Sequence, residues 1–432
     1  MTNKELCVFI EGKHAGTLTQ DSSGSVSFSY LEGYRGVCLS SAIPLSTRAY
    51  RNKIVLPYLW GLLPEDLAVR TRIARDAGIS PNNPVALLAA IGLDCPGAVQ
   101  FCQKENDILR DERLIPISNA DIALRLAQGR QAGGSWVAQE ERWSLGGQQS
   151  KFALRRQSSK WYSCQGSAAT SHILKSGVQT LPHQALDEYV CMRLARECGI
   201  HAANVEYKNF HNRSAIEPAI IIERYDRLEE DGHIIRLHQE DLCQALGCLP
   251  SSKYTMDGGP SASDVIKLLL TTKSEAAGNV ARFLQMLFFN YLIAGSDAHA
   301  KNYSLMLAPD GAHRLAPMYD VASIAPYIDP ARWGVKPPKL AMSIGGENRA
   351  GNVTLANLGK MVEQCDLAAV GITTKGCARL IVMYAEMIPE KLAKVFDELE
   401  SSEHTEAAKA LRATMEQPIA ELCQRSIKKL HG

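Results

Sequence analysis

The segment GSDAHAKNYSLML, residues 295–307, carries an acid and an amide at a spacing that suits phosphoryl transfer. This chemistry needs a carboxylate within reach of the attacking hydroxyl, and oxygen ligands that hold Mg²⁺ beside the triphosphate. Asp297 and Asn302 lie five residues apart and could supply both groups from one loop. After a predicted hairpin comes Tyr319-Asp320, where Asp320 could be the second metal ligand. A polar loop with an Asp and an Asn is usually only structural, so the ordered combination with Asp320 is what favours a kinase-like site.

The residues around this loop are predicted to form a β-rich unit followed by a helical one. Residues 143–157, WSLGGQQSKFALRRQ, have the pattern of strand, glycine loop and strand, and further strands and one helix follow up to about residue 228. From Asp241 onward the periodicity is almost entirely helical, apart from a loop-rich core at residues 295–324 that holds a strand pair. A small β-rich lobe with one helix, followed by a large helical lobe, is the plan of the protein kinase-like fold.

The residues before these two lobes form a further predicted module. The first forty residues alternate as half-buried strands do, the spacing of residues 56–78 predicts one helix, and residues 84–92 predict a second. The predicted fold class is therefore α+β: a two-lobed protein kinase-like fold with an extra N-terminal β/α module. The predicted domains are a β/α module at 1–110, an ATP-binding N-lobe at 111–228 and a helical C-lobe at 229–432.

Composition bounds the other possibilities. With 432 residues, 46% of them apolar, the chain can bury a large core in two or three units. A net charge of +1 gives no electrostatic basis for independent nucleic-acid binding. The longest apolar stretch, residues 283–295, is too short to span a bilayer, and no signal-peptide pattern is present, so we expect a cytoplasmic protein without membrane contact. Twelve scattered cysteines with no CxxC pair are expected to be reduced.

The motifs resemble those of the HipA family of kinases. The resemblance rests on SDAHAKNYSLML with LAPMYDVASI, and on WSLGGQQSKFAL, HILK, ERYDR, HQEDLCQALG, KYTMDGGP and KLAMSIGG in the same order as in that family. It covers essentially residues 1–400 and is densest at 143–345. It implies a serine/threonine-protein kinase toxin of a HipA/HipB-type toxin–antitoxin system that uses ATP and Mg²⁺. The implied substrate is a cytosolic protein, with an aminoacyl-tRNA synthetase as the leading guess, and its phosphorylation would arrest growth.

The resemblance also implies roles for single residues. Asp297 would be the catalytic base, and Asn302 and Asp320 would be the Mg²⁺ ligands. Lys175 would reach the α- and β-phosphates, with Glu188 as a candidate partner. Without the family, a lone lysine at a strand end is usually solvated and a glycine pair is usually a turn. The residues implied to bind ATP are Gly146, Gly147, Gln148, Gln149, Ser150 and Lys151 of the glycine loop, Lys175, the hinge residues Glu223, Arg224 and Tyr225, and His299, Lys301, Asn302, Tyr319 and Asp320.

Ser144 precedes the glycine loop at a position that can be autophosphorylated in the family. A phosphate there would be repelled by the triphosphate of ATP and would favour a displaced loop, which gives a self-inactivation switch. The alternative is an ordinary exposed serine. The sequence departs from the family at Ser150, where other members carry Glu or Pro. The segment after Lys175 is also shorter than in some relatives, so the protein substrate is the least transferable implication.

The implied partners are a HipB-like helix-turn-helix antitoxin dimer and a protein substrate, with operator DNA contacted mainly through the antitoxin. Two other functions stay open. The chain could be a kinase-fold binding subunit whose main role is to hold the antitoxin on its operator, although the intact Asp297, Asn302, Asp320 and Lys175 set argues against it. It could also be a small-molecule kinase of the aminoglycoside or lipid class, which the HipA-specific motifs disfavour. Label from ATP on a protein band, rather than in a soluble product, would distinguish a protein substrate from a small-molecule substrate.

Overall fold

The computed structural model describes residues 4–109, 112–130, 141–213, 215–329 and 337–431. These residues divide into two compact units. Unit 1 comprises Met1–Thr180, Glu206–Ser251 and Ser304–Ala316, and unit 2 comprises Leu181–Val205, Ser252–Tyr303 and Pro317–Gly432. Neither unit is continuous in sequence, because the chain passes between them at residues 180, 205, 251, 303 and 316.

The first part of unit 1 is an antiparallel five-stranded sheet with three helices. Its strand order is β4-β3-β2-β1-β5. Asp66 and Asn83 cap the second and third helices by accepting hydrogen bonds from Ala68 N and Ala86 N. The elements are β1 (Lys4–Ile10), β2 (Lys13–Gln20), β3 (Val26–Tyr30), β4 (Tyr50–Arg51), α1 (Asn52–Leu62), α2 (Leu67–Ala77), α3 (Pro84–Ile91) and β5 (Val99–Cys102).

The single helix predicted over residues 56–78 is wrong, since the structure has the two helices α1 and α2 there. The cause is Pro64, because a proline disfavours helical geometry in the residue before it. Leu63 is accordingly extended, with φ −96° and ψ 153°. The second predicted helix, over residues 84–92, is confirmed by α3.

The rest of unit 1 contains a six-stranded sheet with strand order β10-β11-β9-β7-β8-β6, a hairpin and a three-stranded sheet. All twelve cysteines of the chain are free thiols, as expected. The elements are β6 (Arg113–Ile117), α4 (Asn119–Arg130), β7 (Lys151–Gln157), β8 (Lys160–Gln165), β9 (His172–Lys175), β10 (Val205–Asn212), β11 (Ala215–Glu223), β12 (Arg227–Glu230), β13 (His233–Arg236), β14 (Gln239–Asp241), α6 (Leu242–Ala245), β15 (Ser304–Leu307) and β16 (His313–Leu315).

Unit 2 is mostly helical. The helix α8 (Ala276–Leu292) lies in its core, with Phe283, Phe288, Phe289 and Leu292 fully buried. Among the described residues, no helix is both long and apolar enough to cross a membrane. The elements are α5 (Gln184–Glu197), α7 (Ala262–Leu270), α8 (Ala276–Leu292), β17 (Lys339–Ile344), β18 (Glu347–Arg349), α9 (Leu355–Gln364), α10 (Thr374–Glu400) and α11 (Thr405–His431).

The strand pair predicted within residues 295–324 is confirmed by β15 and β16, but the hairpin of β17 and β18 was predicted to be helical. Burial alternates along β17, which is the two-residue period of a strand. Gly345 and Gly346 form the turn with φ of 56° and 91°, a conformation that favours glycine over other residues. The helical prediction for this segment is therefore wrong.

Candidate active site

The loop that contains Asp297 begins where the buried helix α8 ends. Ala294 turns the chain with a left-handed φ of 55°, and Gly295 N donates to Asn290 O at 2.8 Å. A Cβ at Gly295 would lie 2.5 Å from Asn290 Oδ1, so the close approach of the chain to the helix end requires glycine there. The start of the loop is thus fixed to the core of unit 2.

Asp297 presents its carboxylate to solvent while its backbone is held inside the loop. Its side chain is 72% exposed, and Oδ1 accepts a hydrogen bond from the hydroxyl of Tyr254. Its carbonyl oxygen accepts from Asn302 Nδ2 at 2.9 Å and from His299 N at 2.7 Å. An oriented, solvent-accessible carboxylate is the form in which an acid can accept a proton from an incoming hydroxyl.

His299 and Lys301 belong to this loop and are buried, with 4% and 8% exposure. The ring of His299 contacts the ring of Tyr254 edge to face, with 4.9 Å between the centroids. His299 Nε2 lies 3.9 Å from Asp297 Oδ1. The two residues predicted to bind the transferred phosphate therefore share one loop with Asp297 and Asn302.

The segment of Asp320 is tied to the same loop on both of its sides. Before it, the hydroxyl of Tyr319 donates to Lys301 O at 2.9 Å. After it, Ser323 Oγ donates to Ile293 O at 2.6 Å, and the next residue bonds through its backbone N to Ala294 O. Asp320 has a left-handed φ of 56°, which aspartate tolerates better than most residues. The segment of Asp320 and the loop of Asp297 and Asn302 are thus joined by hydrogen bonds within unit 2.

Asp187 of α5 supports this segment, and sequence reasoning missed it in favour of its neighbour Glu188. Asp187 is fully buried, and its Oδ1 accepts from Ser323 N at 3.1 Å and from Cys191 Sγ at 3.3 Å. Burial raises the pKa of Asp187 to about 7. No local signal marks this role, because an acid in the first turn of a helix is normally an exposed, favourable charge.

We expect Asp187→Asn to stabilise the protein increasingly as the pH rises from about 4 to about 7, and by a constant amount above that. Because the folded-state pKa lies near 7, well above the ordinary value of 3.8, the wild type gains stability from the neutral acid at low pH and loses it as the pH rises from about 4 to about 7. Asparagine cannot ionise, so the variant should have the higher melting temperature above pH 7 and near-equality at pH 4. Thermal unfolding from pH 4 to 8 measures this. The exposed Glu406→Gln is the control, and parallel pH profiles for all three proteins would contradict the assignment.

Ser144 is buried in unit 1. The alternative that it is an ordinary exposed serine is therefore wrong. Its exposure is 0%, its Oγ donates to Leu62 O at 2.6 Å and its N donates to Asp94 O at 3.0 Å. The glycine loop that follows is held at the same place, because Glu65 N donates to Gly147 O at 3.0 Å. The break between α1 and α2 thus supplies the backbone groups to which the loop is bonded.

The glycine loop leads into β7, which begins at Lys151, and the second predicted phosphate-binding lysine, Lys175, is the last residue of the neighbouring strand β9. Lys151 Nζ donates to Gly146 O at 3.0 Å, and a Cβ at Gly147 would lie 2.7 Å from that Nζ. Lys151 is opposite Lys175 in the pairing of β7 with β9. Lys175 is 4% exposed and lies in unit 1, whereas Glu188 is 3% exposed and lies in unit 2. Of the other loop residues, Gln148 is exposed, and Gln149 and Ser150 are half-buried.

The predicted hinge residues lie at the end of β11 and directly after it, and some of their hydrogen-bonding groups already have partners within unit 1. Arg224 N donates to Ser171 O at 2.9 Å, so an adenine contact from this segment must use other backbone groups. The hydroxyl of Tyr225 donates to Gln239 Oε1 at 2.8 Å. Glu223 is the last residue of β11 and is paired with His172.

The side chain of Arg224 belongs to a buried group that we call the Asp94 cluster: Asp94, Thr170, Arg224, Arg227 and Arg236. The Asp94 carboxylate accepts from Arg227 Nη2 at 2.9 Å, from Arg224 Nη1 at 3.2 Å and from Arg236 Nε at 3.2 Å. Thr170 Oγ1 donates to it at 2.7 Å. Burial alone would raise the pKa of Asp94, but the three guanidinium groups hold it well below its usual range. Sequence reasoning missed this cluster.

Two family models match most of the chain. The model of the HipA N-terminal domain matches residues 6–102, and that of the HipA-like C-terminal domain matches residues 143–412. The chain belongs to the HipA family. One similar protein is Y4mE of Sinorhizobium fredii, whose name describes it as a kinase. It is 32% identical over 409 residues, which cover 92% of this chain and 93% of that protein. The serine/threonine-protein kinase toxin HipA of Shewanella oneidensis is 29% identical over 386 residues, covering 86% and 84%.

A solved structure gives the same result for the fold. HipA of Shewanella oneidensis MR-1, in a complex described as HipA, HipB and operator DNA, matches with a TM-score of 0.81 at 26% identity and covers 97% of both chains. The predicted HipA membership and fold class are therefore confirmed. The chain is a HipA-like member of the serine/threonine-kinase toxin family. The residue roles and the domain boundaries at 110 and 228 stay predictions.

Proposed function

We propose that this HipA-family protein is an ATP- and Mg²⁺-dependent serine/threonine-protein kinase that acts as the toxin of a HipA/HipB-type toxin–antitoxin system. The observation that carries the proposal is the tethering of the Asp320 segment, on both sides, to the loop of Asp297 and Asn302. The presence of Asp297, Asn302 and Asp320 on segments that are bonded to each other supports a catalytically active kinase rather than an inactive binding subunit.

The residue types fit the metal. Mg²⁺ prefers oxygen ligands, and Asp320 and Asn302 offer a carboxylate and an amide oxygen, while Asn302 Nδ2 is used by the carbonyl of Asp297. When bound, Mg²⁺ neutralises charge that develops on the phosphates. Asp297 orients the attacking serine or threonine hydroxyl and accepts its proton, and Tyr254 holds the carboxylate in position.

We further propose roles in nucleotide binding for residues within each unit. In unit 1, backbone N–H groups of the glycine loop at residues 146–151 contact the phosphates, and Lys175 contributes a positive charge. Glu223 and Tyr225 contribute backbone groups toward adenine. In unit 2, His299 and Lys301 contact the transferred phosphate.

Labelled ATP tests the activity directly. The purified protein is incubated with γ-labelled ATP, Mg²⁺ and a bacterial lysate, with a panel of purified aminoacyl-tRNA synthetases in parallel. We expect label on serine or threonine of a protein other than the kinase itself. Label found only in inorganic phosphate or in a small molecule would rule out the protein-kinase function. Asp320→Asn should weaken the Mg²⁺ dependence of nucleotide affinity. Because nucleotide affinity is measured without a protein substrate, this readout distinguishes loss of a metal ligand from failure to supply the right substrate.

A second role is favoured by the solved relative, which is described in complex with HipB and operator DNA. We propose that this chain binds a small helix-turn-helix antitoxin dimer, contacts the operator mainly through it and acts with it as corepressor. The net charge of +1 supports this division of labour. Gel-shift titrations should show weak, salt-sensitive DNA binding by the chain alone. Tight, sequence-specific binding without an antitoxin would contradict it.

Phosphorylation of Ser144 is expected to weaken ATP binding. The buried Oγ donates to Leu62 O, and a phosphate has no hydrogen to donate there and adds a charge of about −2. The segment must then leave its position beside α1 and carry the glycine loop with it. We expect ATP affinity to fall at least about tenfold, equivalent to about 1.4 kcal/mol.

Calorimetric titration of the phosphorylated and dephosphorylated proteins measures this effect, with mass spectrometry to confirm occupancy. Ser144→Ala should bind ATP normally and fail to inactivate itself, and Ser159→Ala, at an exposed serine between β7 and β8, is the control. Equal affinities of the two forms would show that Ser144 does not regulate through the loop.

A further inference from the structure

Three side chains at one edge of the N-terminal sheet form a donor group that the proposed kinase chemistry does not use. They are Cys7 of β1, His14 of β2 and Glu105, the first residue of a short 3-10 helix (Glu105–Leu109) that follows β5. One donor atom from each lies within 4.8 Å of the others, and within the described residues this is the only such group of three.

A bulge between β1 and β2 places His14 on the same face as Cys7. The strands pair with Cys7 opposite Thr17 and Val8 opposite Gly16, and the register then shifts so that Phe9 is opposite His14. Alternate residues of a strand share a face, so Cys7 and Phe9 point the same way, and the extra residue on β2 brings His14 rather than Ala15 to that face. The ring of His14 stacks on Phe9, with 4.8 Å between the centroids.

The hydrogen bonds of His14 fix which ring nitrogen faces the other two donors. Nε2 lies 3.2 Å from Gly16 O, and a carbonyl oxygen can only accept, so Nε2 carries a proton. Nδ1 lies 3.0 Å from Glu105 Oε1. With the proton on Nε2, Nδ1 keeps a lone pair that can bind a cation, and Glu105 Oε1 is placed to bind the same cation. A histidine whose second nitrogen donates to a backbone carbonyl is the arrangement found at protein metal sites.

The charge around Cys7 favours a cation. The carboxylates of Glu105 and Asp107 interact electrostatically with Cys7, and their negative charges attract a metal ion. The side chain of Glu105 is 67% exposed, so it can rotate to shorten the distances to the other donors.

We propose that Cys7, His14 and Glu105 bind a zinc ion. A sulfur, a nitrogen and a carboxylate oxygen form a donor set that suits Zn²⁺, whereas Mg²⁺ and Ca²⁺ prefer oxygen alone. Water completes the coordination. The ion joins the β1–β2 hairpin to the 3-10 helix after β5, and it therefore stabilises the N-terminal module independently of nucleotide.

Metal titration of the full chain tests the site without any kinase assay. The protein is stripped with a chelator and titrated with Zn²⁺, and with Co²⁺ to follow the thiolate-to-metal charge-transfer band. We expect one ion per chain and a melting temperature that rises with Zn²⁺. Glu105→Gln alters an exposed side chain and should lower Zn²⁺ affinity at least about 10-fold, since even residues that only support a ligand contribute about 10–100-fold. Cys7→Ser should abolish the charge-transfer band.

The control is Cys38→Ser, which removes another half-buried thiol of unit 1 and should leave both readouts unchanged. Because the chain has twelve thiols, some binding elsewhere is expected to be weak and to persist in every variant. Absence of tight binding by the wild type would overturn the proposal. So would equal affinity and an equal band in Glu105→Gln and Cys7→Ser, since the ion would then be bound by other residues.

Discussion

Replacing Asp297 by asparagine is expected to lower the rate of protein phosphorylation by about 10²–10⁴-fold, the range that general base catalysis contributes. ATP affinity should change little, because the base acts on the hydroxyl in the transition state and adds little to binding of the ground state. Asparagine has nearly the same shape and keeps an oxygen that can accept from Tyr254, so folding should be intact. Initial rates with γ-labelled ATP and calorimetric nucleotide titration measure the two quantities separately.

Asp310→Asn provides the control for this substitution. Asp310 is exposed in the turn between β15 and β16 and has a left-handed φ of 61°, which asparagine also tolerates. That variant should keep full activity. A near-normal rate for Asp297→Asn would remove Asp297 from the mechanism, and an equal loss in both variants would point to a general effect of these loops on folding.

Asp94→Asn is expected to destabilise the protein by about 3–5 kcal/mol, which is typical of breaking a buried ion pair by removing one partner. The carboxylate is 3% exposed and accepts from Arg224, Arg227 and Arg236. With a neutral amide in its place, all three arginines lose their ion pair with residue 94, although Arg224 and Arg227 still pair with the carboxylate of Asp226. Because Asp94 O also accepts from Ser144 N, loosening there should expose Ser144.

Urea unfolding followed by circular dichroism measures the change in free energy, and hydrogen exchange at residues 142–144 reports the exposure of Ser144. The control is Asp76→Asn, which breaks an exposed pair with Arg75 and should cost no more than about 1 kcal/mol. A loss below about 1 kcal/mol for Asp94→Asn would show that Asp94 does not hold this part of unit 1 together.

The sequence by itself determined the family, the fold class and the loop at residues 295–302. These were predictable because each depends on residues close together in the chain. The spacing of Asp297 and Asn302 fits one loop, and alternation and glycine signals mark the strand pair that leads back to Asp320. The predicted strand HILK likewise appears as β9.

The tertiary structure decided how those residues are held and which further residues matter. Periodicity alone predicts one continuous helix, but Pro64 divides it. The first of the two helices ends at Leu62, whose carbonyl oxygen accepts a hydrogen bond from the buried Ser144. Asp94 meets arginines more than a hundred residues away, and His14 reaches the face of Cys7 only through a one-residue bulge. Burial raises the pKa of Asp187 to about 7, whereas its sequence position suggests an exposed acid. Burial, register and long-range hydrogen bonds arise only when distant segments pack together, so a local pattern carries no record of them.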